Sequence, residues 1–274
     1  MNEVPLFVPY GPEHLAAVLC LPESEPRGLV VLLQEFAVGR SHKNRMWTRA
    51  ARSMAALGIA SVRMDYLGTG DSTGEVPAVE FESVAIEEVV AVAELAADLV
   101  GTKELGVVGN CFGARAAVAF AAGTPACRTA ALVVPGSLDA VLAPAPQTSR
   151  MGRAAKSVAR RSSLVKRVVR PILKRGRGRE PRPFVPEVAE AHGGTDLLFV
   201  VPDDGKHEGK LRAAAAGMPE GGGRVEFELI SASRITGTNF PVTAQPVLID
   251  ILTTWMDRTL PGASLRVGQL AQQP

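Results

Sequence analysis

The chain has 274 residues, enough for one large domain or two small ones, with 46% hydrophobic and 21% charged residues and a formal net charge of +2. This composition excludes a wholly disordered chain, and no stretch reaches the roughly 18 apolar residues of a membrane-spanning helix. The N-terminus lacks a secretion-signal pattern, so we expect a cytoplasmic protein. The three cysteines are too few for a disulfide framework or a Cys-rich zinc site, so we expect free thiols and no metal. We also expect no cofactor.

Short apolar runs alternate with helical patterns along most of the chain. Two strands, near 6–10 and 15–21, are predicted to form an antiparallel hairpin at one edge of a sheet. The further predicted strands are 28–33, 60–66, 104–110, 130–134, 196–201 and 224–231, and the predicted helices are about 46–57, 79–100, 114–122, 208–216 and 241–260. Strands that are apolar on both faces and separated by helices indicate an α/β fold, with a mostly parallel sheet and helices on both faces.

A candidate nucleophile follows the strand at 104–110, in the run Gly109-Asn110-Cys111-Phe112-Gly113. A Gly-x-nucleophile-x-Gly turn between a strand and a helix holds the central side chain at the helix N-terminus, where backbone amides favour an anion. That position lowers the pKa of a thiol and enriches the thiolate. Cys111 is therefore the candidate nucleophile, and the Phe112 amide would supply half of an oxyanion hole. The alternative is that Cys111 merely fills a tight turn as a small buried residue, as we expect of Cys20 and Cys127.

Two motifs and the order of elements resemble the α/β-hydrolase superfamily. Besides the Cys111 elbow, residues 65–72 read Asp-Tyr-Leu-Gly-Thr-Gly-Asp-Ser, similar to the D-x-x-G-x-G-x-S loop after the fourth strand of that family. The resemblance covers nearly the whole chain and implies an α/β-hydrolase fold with a cap inserted after the sixth strand. It places the oxyanion loop at 34–39, where Phe36 or Ala37 would offer the second amide. A Cys nucleophile in place of Ser resembles dienelactone hydrolases and some thioesterase-type cyclases.

The resemblance also implies positions for the other members of a catalytic triad. The acid of the family follows the seventh strand, where this chain has Asp203 and Asp204, although Asp-Asp-Gly is also a common turn sequence. Asp139, after the sixth strand, is a further candidate acid. The His of the family follows the eighth strand, and this chain has Thr238 or Asn239 there. Neither side chain accepts a proton near neutral pH, so the usual relay of Cys, His and Asp cannot be assembled from matching positions.

Four histidines are candidates for a recruited base. His14 lies in the first hairpin and is expected at the surface, and His192 gives no indication of a role. His42 and His207 are both predicted near the carboxyl ends of the strands, where either could approach Cys111. A solvated surface position is the simpler interpretation of both.

The vacated His position has a mechanistic consequence. A serine without a general base would be nearly inert, whereas a thiol at a helix N-terminus can ionise unaided. Deacylation by water does need a base, so we favour acyl transfer or cyclisation onto the substrate over hydrolysis of a thioester or ester. Two alternatives are a catalytically degenerate hydrolase that acts as a binding or assembly partner, and a simple thioesterase or esterase with His207 as the base.

The segment between the sixth and seventh strands is strongly basic. Residues 150–182 contain thirteen of the 30 Lys and Arg but only one of the 28 acidic residues, which leaves 17 basic and 27 acidic residues in the rest of the chain. We expect 137–191 to form a basic helical cap or lid over a core made of 1–136 and 192–274. The cap could cover the site or dock an acyl carrier protein or coenzyme A, or it could contact an anionic membrane surface. No motif favours nucleic acid.

Overall fold

A single sheet lies at the centre of the fold in the computed structural model, which describes residues 1–35, 38–76, 86–135, 188, 190–203, 207–216, 220–231 and 240–260. Within these residues the sheet has eight strands in the order β1-β2-β4-β3-β5-β6-β7-β8. The strands are β1 (Asn2–Tyr10), β2 (Glu13–Leu21), β3 (Leu29–Leu33), β4 (Ala60–Met64), β5 (Leu105–Asn110), β6 (Cys127–Val133), β7 (Asp196–Asp203) and β8 (Val225–Ser231). The pairs β1–β2 and β2–β4 are antiparallel, and every pair from β4 to β8 is parallel.

Helices cover both faces of this sheet. The described helices are α1 (Met46–Ala56), α2 (Ile86–Val100), α3 (Phe112–Gly123), α4 (His207–Ala216) and α5 (Gln245–Thr259). Residues 29, 31 and 33 of β3 face the core beneath α2 and α3, whereas 30 and 32 face the core beneath α1 and α5. All five side chains are fully buried, which explains why the central strands are continuous apolar runs rather than alternating ones.

The predicted hairpin at one edge of the sheet is confirmed, but both of its strands are longer than predicted. They begin at Asn2 and Glu13, because antiparallel pairing continues through polar residues that the search for apolar runs omits. Pro5 and Pro9 are tolerated in β1 because it is an edge strand with one side free of partners in the sheet.

Other boundaries differ by a few residues from the sequence predictions. Strand β6 begins at Cys127 rather than 130, because Cys127 pairs with Leu105 across a register shift. Helix α5 begins at Gln245 rather than 241, after a turn in which the Ala244 N–H donates to the Pro241 carbonyl. Part of the helix predicted at 79–100 and almost all of the predicted cap at 137–191 lie outside the described residues. None of the helices that the structure describes is long and apolar enough to span a membrane.

Candidate active site

Cys111 stands on a strained turn between β5 and α3. Its backbone has φ 56° and ψ −113°, a conformation that non-glycine residues rarely adopt and that the surrounding structure must enforce. The Cys111 N–H donates to the Val133 carbonyl on β6 (3.0 Å), and the Cys111 carbonyl accepts from the Ala114 N–H (3.1 Å). The residue is partly exposed, whereas Cys20 and Cys127, which we expect to be structural, are buried. Cys111 is therefore the N-cap of α3, with its thiol at the positive end of the helix dipole.

The two glycines that flank the elbow are required by close backbone approach. A Cβ on Gly109 would lie 2.0 Å from the Gly113 carbonyl oxygen. A Cβ on Gly113 would lie 2.5 Å from the Leu33 carbonyl oxygen and 2.7 Å from that of Gln34. The first turn of α3 therefore packs directly against the end of β3, where the predicted oxyanion loop begins.

One predicted half of the oxyanion hole lies in the described residues. Phe112 opens α3, and its buried ring packs edge-on against Tyr66 with the ring centroids 6.3 Å apart. This contact holds Phe112 in place, and the Phe112 amide is the one that the sequence predicts for the oxyanion hole. The predicted site residues that lie outside the described residues are Phe36, Ala37, Asp139, Asp204, Thr238 and Asn239.

The loop after β4 has a structural role that the motif alone did not reveal. The Asp65 carboxylate is fully buried and accepts from the backbone N–H groups of Arg40 (2.6 Å) and Asp71 (3.1 Å). It also forms an ion pair with the Arg40 guanidinium. Gly70 is needed here because its φ is 55° and its Cβ would lie 2.2 Å from Asp65 Oδ2. Asp65 therefore ties the motif loop to the residues that follow the predicted oxyanion position.

Two predicted triad candidates are only partly placed. Asp203 is the last residue of β7 and is exposed, at the carboxyl edge of the sheet as predicted. His207 is the first residue of α4, but its side chain lies outside the described part of the chain. The catalytic roles of Asp203 and His207 therefore stay predictions from sequence.

The solvated position that the sequence favoured for His42 is wrong. Its side chain is buried, with 6% of the residue exposed. Nδ1 accepts from the Lys43 backbone N–H (2.8 Å), Nε2 lies 3.0 Å from the amide nitrogen Nδ2 of Asn110, and the ring packs edge-on against Trp47. Burial lowers the pKa of His42 to about 4, although the nearby charge of Glu35 acts in the opposite direction. The imidazole is therefore neutral at pH 7 and a weak proton acceptor.

Glu35 is a second residue that the sequence predictions omitted. It follows β3, whose last residue, Leu33, pairs with Gly109, so Glu35 lies at the same end of the sheet as the elbow. Glu35 is nearly buried and forms an ion pair with Lys43. One signal in the sequence could have indicated its importance. An acidic residue directly after a buried apolar strand needs a partner for its charge. Within the described residues, no cluster of His, Cys, Asp and Glu could hold a metal ion.

Several solved structures share this architecture. An esterase of Pyrococcus furiosus, Pf2001, matches with a TM-score of 0.62 at 13% identity over 94% of this chain and 91% of that chain. XC6422 of Xanthomonas campestris, described as an α/β serine hydrolase without a lid, matches with a TM-score of 0.59 at 18% identity over 95% and 96%. Est1E of Butyrivibrio proteoclasticus, solved with ferulic acid bound, matches with a TM-score of 0.62 at 14% identity over 93% and 98%.

These likenesses confirm the predicted α/β-hydrolase fold. No protein-family model and no curated protein matches the sequence. At 13–18% identity the likeness establishes the fold, and the chemistry has to be argued from the residues of this chain.

Proposed function

We propose that this chain with the α/β-hydrolase fold is an enzyme that uses Cys111 as a covalent nucleophile on an activated acyl group, a thioester or an ester. The observation that carries the proposal is the strained, partly exposed Cys111 at the N-terminus of α3. Backbone strain of this kind persists where function requires it, and a helix N-terminus stabilises a thiolate. A thiol that merely filled a tight turn would need neither feature.

The chemistry has two steps. The Cys111 thiolate, whose proton has gone to solvent, attacks the acyl carbonyl carbon. The Phe112 amide and a second amide from the loop at 34–39 stabilise the oxyanion, and the leaving thiolate or alkoxide takes a proton from solvent. The acyl group then forms a thioester with Cys111. In the second step, the nucleophile of an acceptor attacks that thioester and loses its proton, and the Cys111 thiol is regenerated.

Transfer or cyclisation is favoured over hydrolysis because water needs a general base and activated acceptors need less help. His14 is exposed in the hairpin, and His192 precedes β7, at the amino end of the sheet. His42 is neutral, with a pKa of about 4. Of the imidazoles whose side chains the structure describes, none is therefore an effective base for water at Cys111. An anionic acyl carrier that docks on the basic segment 150–182 fits the same chemistry and stays a prediction from sequence.

A simple esterase is the second candidate function. One of the similar structures is described as an esterase and another as having ferulic acid bound, and α4 begins with His207, four positions after the last residue of β7. In this case His207 would activate water, and the acyl-enzyme would be short-lived.

Incubation with a short-chain acyl thioester of N-acetylcysteamine, followed by intact-mass analysis, tests the proposal. We expect a single acyl adduct on the wild-type chain and none on Cys111→Ala. An added amine or thiol acceptor should discharge the adduct at least about tenfold faster than water does. No adduct on the wild type would overturn the proposal. Fast discharge by water that is lost in His207→Ala would establish the simple esterase instead.

A further inference from the structure

His42 adopts a backbone conformation that only glycine adopts without strain. Its φ of 59° and ψ of 170° place it in a region that is nearly exclusive to glycine, and Asn44 and Arg45 also have positive φ values. Three non-glycine residues with positive φ lie within four positions of one loop. Such strain needs a compensating interaction, and the buried side chain of His42 supplies it.

Several contacts hold this loop in place from different elements. The Gln245 side chain at the start of α5 donates to the Lys43 carbonyl (3.4 Å) and accepts from the Arg49 guanidinium (2.9 Å). Lys43 forms an ion pair with Glu35 on the segment that follows β3. Lys43 is therefore held from α5 and from the segment after β3, which restrains the adjacent His42.

The hydrogen bonds determine which nitrogen of His42 carries the proton. Nδ1 accepts from the Lys43 N–H, so in the neutral ring Nε2 must be the protonated nitrogen. Nε2 faces the side-chain amide of Asn110 at 3.0 Å. The structure has the amide nitrogen Nδ2 of Asn110 at this distance, and two donors cannot bond each other. Hydrogen-bonding partners decide which end of an amide is the oxygen, so we reverse this amide and let Oδ1 of Asn110 accept from Nε2–H.

Asn110 connects this contact to the reactive thiol. It is the last residue of β5, it is fully buried, and its peptide bond leads directly into the strained backbone of Cys111. A bond that fixes the Asn110 side chain therefore limits how far the start of the elbow can relax.

We infer that His42 is a positioning residue, whose imidazole holds Asn110 and thereby keeps the Cys111 thiol at the N-terminus of α3. The inference rests on the proposed function, because it assigns His42 to the orientation of the proposed nucleophile. His42 acts through Asn110 and takes no part in proton transfer. Its weak basicity agrees with this role, since a neutral ring keeps the Nε2–H donor directed at Asn110 at neutral pH.

The test compares His42→Phe with His42→Gln in the full chain. Phe keeps a ring against Trp47 but loses the hydrogen bonds to the Lys43 N–H and to Asn110. The side-chain amide of Gln can reach Asn110 in place of Nε2. The readout is the rate at which iodoacetamide alkylates Cys111 as a function of pH, with thermal unfolding measured in parallel. We expect His42→Phe to alkylate about tenfold more slowly at pH 7 with its profile moved to higher pH, and His42→Gln to restore the profile towards that of the wild type.

The Asn110→Leu variant completes a double-mutant cycle. If His42 acts through Asn110, His42→Phe should slow alkylation no further in the Asn110→Leu background. Two outcomes would overturn the inference but leave the proposed function standing, because Cys111 would still be reactive in the wild type. One is that the effects of His42→Phe and Asn110→Leu on the alkylation rate are fully additive. The other is that a folded His42→Phe chain has the same pH profile of alkylation as the wild type. A wild-type chain whose Cys111 is not alkylated in the native state would instead overturn the proposed function. If His42→Phe does not fold, the test rests on His42→Gln alone. A pH profile of His42→Gln that lies at higher pH than the wild-type profile would then overturn the inference.

Discussion

Replacement of Cys111 by Ser is expected to reduce acyl-enzyme formation by about a thousandfold or more, as is usual for loss of a nucleophile. A hydroxyl at a helix N-terminus does not ionise near neutral pH, so it needs a base that a thiol can do without. Among the described side chains, His42 is neutral with a pKa of about 4 and faces Asn110 instead. The measurement is the single-turnover rate of acylation by the thioester.

Cys20→Ser is the matched control for that substitution. Cys20 is buried in β2, where its thiol donates to the Ala51 carbonyl (3.7 Å), and its replacement leaves Cys111 itself unchanged. The acylation rate of the Cys20→Ser variant should equal that of the wild type. If Cys111→Ser instead keeps more than a tenth of the wild-type rate, a working general base must be present, and the preference for transfer over hydrolysis is wrong.

The substitution Gly113→Ala should destabilise the chain by about 3 kcal/mol or more and abolish acylation. The new Cβ would lie 2.5 Å from the Leu33 carbonyl oxygen, and backbone atoms on both sides of this contact belong to elements that cannot easily separate. Urea unfolding of the full chain measures the loss in the free energy of unfolding.

Gly123→Ala provides the control on the same helix. Gly123 is the last residue of α3, and a Cβ there would meet nothing within 4 Å. This change should be neutral or stabilise the chain by up to about 1 kcal/mol, because alanine is the better helix former. Equal stabilities for the two alanine variants would mean that α3 and β3 do not approach as closely as described.

The elbow could be predicted from sequence because its requirements are local and chemical. Gly109 and Gly113 occur at the spacing that a tight strand-to-helix turn demands, and the contacts of both with the backbone explain that spacing. The order of strands and helices was also predictable, since buried strands are apolar on both faces. The longer extent of β1 was not, because its polar residues are held by pairing with β2 rather than by burial.

The environments of His42 and Glu35 could not be predicted in the same way. Hydrophobic periodicity carries no information on a loop, and no residue-type rule anticipates a positive φ at His42. The buried His42 contacts Trp47 on α1 and Asn110 on β5, and Gln245, which is distant in sequence, binds the adjacent Lys43. Glu35 and the elbow lie at the same end of the sheet because β3 pairs with β5 in parallel, which the two strand patterns alone do not determine.

The D-x-x-G-x-G-x-S motif could be recognised in the sequence, as the elbow could, but its structural role could not be predicted, as with His42 and Glu35. The sequence marked residues 65–72 as a resemblance, and the structure supplies its physical reason. Asp65 is a buried carboxylate that organises two loops through hydrogen bonds and an ion pair, and Gly70 leaves the space that this carboxylate needs. Its contribution to the site is therefore support for the loop that follows the oxyanion position.

The most direct measurement of whether Cys111 is an activated thiol is site-resolved alkylation of the native chain across pH 5–10. The three cysteines serve as internal references, because burial raises the pKa of Cys20 and raises that of Cys127 to about 12. We predict that Cys111 alone is labelled in the folded chain, with a half-maximal rate below pH 8.5, the ordinary pKa of a thiol. Labelling of Cys111 only after unfolding, or at the same rate as the two buried cysteines, would contradict its role as a nucleophile.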